Sequence, residues 1–199
     1  LIAGILIFGS LWGFSEVIIG SSLSDIGLPS GALMTGFFAI FFLVMSRLAF
    51  RQPGMQLGMG LVAGTLRMFN PFMGCHLCSA IAIMAEAMIF EIIWRNLSFD
   101  FNKYRNLTMQ ASLGIFTVYC LYVGGYIITQ ILTPIVDSGV FYIENIVATL
   151  PKILASGILP ALIGGVIMPI SIQINNLDLT LKDKIYYPTT LGISAVCWI

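Results

Sequence analysis

The chain has 199 residues, 58% of them hydrophobic and 9% charged, and its nine basic and nine acidic side chains cancel. Soluble domains carry about 25% charged and about 45–50% apolar residues, so this composition excludes a water-soluble fold and requires lipid as the solvent for much of the surface. The neutral balance leaves no electrostatic footprint for nucleic acid.

Six apolar stretches follow in chain order, at about 1–20, 31–50, 55–71, 77–94, 110–132 and 153–172. Each is near the length a bilayer requires, the third and fourth being the shortest. Gly27-Leu28-Pro29, Gln52-Pro53-Gly54, Asn70-Pro71 and Thr133-Pro134 punctuate them as breakers. Residues 1–172 thus read as one all-α, polytopic membrane bundle of about six helices. Residues 173–199 read as a tail, with 185–199 a weak seventh span, an interfacial helix or a span cut short. Leu1 is not an initiator Met and Ile199 ends inside an apolar run, so a longer polypeptide is expected. The apolar start contains Glu16 and leads into further spans, which argues against a cleaved signal peptide.

Connector charge sets the orientation. The link between spans 2 and 3 holds Arg47 and Arg51, and that between 4 and 5 holds Arg95, Lys103 and Arg105 against Asp100. The other links hold Asp25, then no charge, then Asp137 and Glu144 with Lys152 at the next helix. Lys and Arg stay on the cytoplasmic side, so both ends of the six-span unit are expected there.

Ionisable groups inside spans are costly and need a partner or a cavity. Glu16, Arg67 and Glu86 are of this kind. Gly9, Trp12, Gly13, Glu16 and Gly20 share one face of the first helix; Gly60, Ala63, Gly64, Arg67 and Asn70 share one of the third; Ser79, Ala82 and Glu86 share one of the fourth. The predicted orientation puts Glu16, Arg67 and Asn70 in the outer third, His76 at the outer entrance of helix 4 and Glu86 near mid-depth. Tyr119, Tyr122 and Tyr126 form one stripe of the fifth helix. Aromatic faces with a few convergent charges suit a pocket for a small polar ligand. The alternative is an internal pair, Arg67 with Glu16 or Glu86, that fixes helix register. Glu91 precedes Arg95 by four residues and reads as a structural helix pair. The Gly-x-x-x-Gly spacings at 9/13, 54/58 and 60/64 permit close helix approach, and the ten Met residues suit core filling better than metal binding.

Cys75-His76-Leu77-Cys78 is the sharpest local motif, since two thiols flanking a His could bind a soft metal or exchange a disulfide. A structural zinc site needs four ligands, and His76 is the only His in the chain. Two small residues at a helix start are therefore the preferred reading, and no metal or cofactor is expected.

In layout, and in the segments Leu11-Trp12-Gly13-Phe14-Ser15-Glu16, Leu28-Pro29-Ser30-Gly31 and Gly60 to Glu86, the chain resembles the substrate-binding S component of an energy-coupling factor transporter. The resemblance covers roughly residues 1–172. It implies capture of a vitamin-like solute in an outward-facing cavity capped by the loops at 21–30, 72–76 and 133–151. It also implies a prokaryotic cytoplasmic membrane, a transmembrane coupling subunit and two cytoplasmic ATPases, with Gly9 and Gly13 nearest to the family's coupling surface on helix 1. No Gly-x-x-x-x-Gly-Lys loop is present, so energy must come from another chain.

The expected function is thus solute binding for transport, with no catalysis. The candidate site residues are Trp12, Glu16, Arg67, Asn70, His76, Glu86, Tyr122 and Tyr126. A membrane redox or metal-binding subunit built on Cys75, His76 and Cys78, or a structural subunit of a larger complex, are the alternatives.

Overall fold

A computed structural model describes residues 1–69, 76–96, 106–138, 143–175 and 183–199, and every regular element among them is helical. Helix α1 runs Ile2–Asp25 and α2 runs Ser30–Ala49, with π-helical turns over Met34–Ala39. Then come α3 (Met55–Met68), α4 (His76–Asn96), α5 (Leu107–Ser138), α6 (Ile143–Ser156), α7 (Ile158–Asn175) and α8 (Asp183–Trp198).

Four of these, α1, α2, α4 and α5, are long and apolar enough to cross a membrane. A fifth span is possible if α6 and α7 count as one, bent by 40° at Gly157. The third apolar stretch falls short of the six-span expectation. Its helix has 14 residues, about 21 Å at 1.5 Å per residue, against a hydrocarbon layer of about 30 Å.

In the bundle α1 packs on α3, α3 on α4, α4 on α5 and α5 on α7, while α2 lies between α7 and α1. The interior joins Trp12, Ile40, Leu43, Met59, Phe90, Trp94, Leu121 and Met168, all nearly or fully buried. Met34, Met55, Met59 and Met168 are among its largest buried side chains, as suits an unbranched residue that fills irregular gaps.

Glycine brings α1 and α3 together. A Cβ on Gly9 would stand 2.7 Å from Val62 Cβ and 2.9 Å from the Met59 carbonyl oxygen, and one on Gly13 would stand 3.0 Å from Ala63 Cα. The Gly9-x-x-x-Gly13 surface therefore serves an internal contact and is covered. Gly60 and Gly64 do the same against Ala87 and Met84 of α4. Of the 54/58 pair only Gly58 does so, against Ile5 of α1, while Gly54 is a turn residue at φ +83, just before α3.

Several breakers act differently from expectation. Pro134 lies inside α5, which continues to Ser138, and Pro151, Pro169 and Pro188 also sit inside helices. Neighbouring helices restrain the chain there, so a missing N–H does not end the element. The expected loop at 133–151 is consequently mostly helix, and that at 21–30 shrinks to the turn between Asp25 and Ser30. The tail forms α8 against α1, where Trp198 Nε1 donates to Ser10 Oγ at 3.1 Å.

Charges pin the end of the bundle that holds the α2–α3 turn. Glu91 accepts from the backbone N–H groups of Gly54 and Leu57, the latter at 2.9 Å. It thereby caps the N-terminus of α3, where free N–H groups and the helix dipole favour an anion. The expected Glu91–Arg95 pair is replaced by this cap. At the same end Arg47 Nη2 donates to the Trp94 carbonyl in the last turn of α4, at 3.2 Å.

Candidate functional site

The face of α4 that carries Ser79, Ala82 and Glu86 borders a cavity of about 150 Å³. Cys78 and Ile83 line it from the same helix, Glu16 from α1, Gly31, Met34 and Thr35 from α2, and Tyr126 and Thr129 from α5. Gly31 and Tyr126 are exposed and mark its rim. All these residues lie toward one end of the bundle, opposite the one that holds Arg47 and Glu91.

Glu86 is 6% exposed, and its Oε1 accepts a 2.6 Å hydrogen bond from Thr35 Oγ1. The widened turns of α2 hold Thr35 in this contact while Gly36, the next residue, packs on Pro160 of α7. π-helical turns of this kind frequently mark functional sites. On α1, Trp12 is fully buried and its indole Nε1 donates to Glu16 Oε1, one turn on, at 3.3 Å. Glu16 and Glu86 border the same cavity.

Arg67 reaches α1 but does not line the cavity. Its Nη1 donates to the Glu16 main-chain oxygen and to Ser21 Oγ, both at 3.3 Å. Its Nε is buried without a hydrogen-bond partner. No hydrogen bond joins the guanidinium to the Glu16 carboxylate. Arg67 thus meets Glu16 through its backbone, a weaker arrangement than the forked carboxylate pair that Arg geometry permits.

Of the other expected site residues, Tyr122 is buried in a small cluster with Ala32, Val123 and Ile153, its ring 4.7 Å from that of Tyr126. It touches the cavity-lining Tyr126 without lining the cavity itself. His76 begins α4, half-buried, with Nδ1 lacking a partner. Asn70 and Cys75 lie outside the described residues. Cys78 is disulfide-bonded, whereas Cys120 and Cys197 are free thiols. Among the described residues no group of three or more His, Cys, Asp or Glu side chains could hold a metal ion.

Thr35 and Thr129 are the functional candidates that sequence reasoning missed. A signal existed for the first, since Thr35 is the only hydroxyl-bearing residue between 31 and 45. Thr129 lies three residues beyond Tyr126, hence on the same face of α5.

Comparison with family models, curated proteins and solved structures finds no match for this chain.

Proposed function

We propose that this protein is an integral membrane subunit that captures a small polar solute in an outward-facing cavity and delivers it with a separate ATP-driven coupling module, in the manner of an S component. The observation that carries the reading is the carboxylate-lined cavity between α1, α2, α4 and α5. Ionisable groups held inside an apolar bundle are functional by default, and a cavity bordered by two of them gives that default a location.

Orientation is supported from two sides. Arg47, Arg51 and Arg95 belong to the end away from the cavity, which fits a cytoplasmic placement of that end. The disulfide at Cys78 belongs to the cavity end and fits an oxidising compartment. The volume narrows the solute. A space of about 150 Å³ matches the size of cavity that admits one benzene-sized molecule. This favours a solute smaller than a vitamin.

The purified protein should bind its solute without nucleotide, while uptake into cells should require an ATPase partner. Solute bound by the isolated chain, detected by mass spectrometry of co-purifying small molecules, supports the reading. Uptake that proceeds in vesicles containing this chain alone would sink the coupling part of it.

One observation favours a second reading, a membrane dithiol centre: disulfide-bonded Cys78 lines the same cavity. Replacing Cys75 and Cys78 by Ser separates the two. Solute binding should survive the double substitution under the first reading; full loss of function in a normally folded variant transfers the assignment to thiol chemistry.

A further inference from the structure

Resting on the reading of this cavity as a solute site, we propose that its solute is a small primary ammonium ion held between Glu16 and Glu86. Thr35 spends its hydroxyl proton on Glu86 Oε1, Thr129 Oγ1 donates to the Gly125 carbonyl at 2.8 Å, and the Trp12 indole donates to Glu16 Oε1. A hydroxyl has one proton and two lone pairs, so each of these threonines has only acceptor capacity left for a ligand. The carboxylates are acceptors as well. The Ser79 and Tyr126 hydroxyls, which also line the cavity, can donate or accept, so acceptors still outnumber donors and suit a ligand rich in N–H donors, of which an ammonium group offers three.

Charge points the same way. Among the described residues no Lys, Arg or His lines the cavity, while two Glu do. Arg67 is the nearby cation, and its hydrogen bonds go to the Glu16 backbone and Ser21. When both carboxyls are ionised, they and the Arg67 guanidinium are one positive charge short of balance. Buried charges are retained where they are paired, so a monovalent cation between Glu16 and Glu86 completes the set. An anionic solute would meet two like charges.

The remaining walls define the body of the solute. Met34, Ala82 and Ile83 supply apolar contact for a short carbon chain, and the Tyr126 ring at the rim can face a cation. The volume admits roughly six non-hydrogen atoms, by the same comparison with benzene.

The test is calorimetric titration of the intact protein in detergent with four probes of similar size: n-propylammonium, tetramethylammonium, propan-1-ol and propionate. The proposal expects n-propylammonium to bind most tightly, because it alone combines charge with N–H donors. Glu86→Gln should weaken it by about tenfold or more, the scale of a hydrogen bond to a charged group. Asp25→Asn, at the exposed end of α1, should leave it unchanged. The probe ranking on the unmodified protein needs no variant, and Glu16→Gln provides a second one should Glu86→Gln fail to fold. Tetramethylammonium equal to n-propylammonium, or no binding of either, overturns the proposal. Propionate or propan-1-ol binding best also overturns it while leaving the solute-site reading intact. If no probe binds and no small molecule co-purifies with the protein, both fall.

Discussion

Replacing Thr35 by Val removes one hydroxyl and changes the side-chain shape little, which makes it a clean perturbation of the site. In the structure that hydroxyl donates to Glu86 Oε1 at 2.6 Å, and both residues are buried. A hydrogen bond to an ionised group contributes about 1.5–3 kcal/mol, and one between neutral groups about 1 kcal/mol. Thr35→Val should therefore cost at least about 1 kcal/mol, because it leaves a buried carboxyl oxygen without its donor. Glu86→Leu removes the acceptor instead, and Thr35 can then turn its hydroxyl to its own helix backbone, as Thr129 and Ser171 do. The double variant should be no less stable than Glu86→Leu alone. The coupling should then lie at about 1–3 kcal/mol, within the range seen for residues that share a buried contact. Unfolding in mixed micelles of mild detergent and dodecyl sulfate, followed by far-ultraviolet circular dichroism, measures all four proteins. Additivity within about 0.5 kcal/mol would refute the view that Thr35 and Glu86 form one unit.

Three further outcomes follow from the packing. Gly13→Val should destabilise by about 1–3 kcal/mol through overpacking, since a Cβ there meets Leu66 and Ala63; Gly192→Ala, inside α8 with nothing within 4 Å of its Cβ position, should not destabilise in the same unfolding assay, because Ala is the better helix former. Glu91→Ala should cost about 1–2 kcal/mol by uncapping α3, and Arg95→Ala should not reproduce the loss, because Arg95 is not part of that cap. Single cysteines at positions 51 and 25, in a background without the native cysteines, should label with impermeant maleimide from the cytoplasm and from outside respectively. Labelling of both from one side contradicts the proposed orientation.

How much of this the sequence disclosed depends on whether the signal was chemical or geometric. Glu16 and Glu86 were legible because a charge in an apolar run is costly wherever the helices go, and the Ser79, Ala82, Glu86 stripe follows ordinary helical spacing. Thr35 was not: it lies in turns wider than the usual helical repeat, so a periodicity argument cannot assign its face. Glu91 illustrates a different limit. Its i,i+4 neighbour Arg95 is close in sequence, yet two unpaired N–H groups at the start of α3 are the better partner, and only the α3–α4 packing brings them within reach. Proline misled for a related reason. Pro134 was read as the end of a helix, but α5 continues past it, since tertiary packing can restrain a chain that has lost one hydrogen bond. Gly9 and Gly13 were recognised as contact residues, whereas the choice of α3 over an outside partner depended on how the helices are arranged.

The central claim, that the cavity between Glu16 and Glu86 is a solute site, is tested most directly by native mass spectrometry of the protein released from its own membrane, compared with its Glu86→Gln variant. The account predicts one small molecule bound per chain on the unmodified protein, of a mass that fits the cavity, and its loss from a variant that retains the same helical content. Identical spectra for the two proteins, with no added mass on either even after incubation with a cell extract, would contradict it.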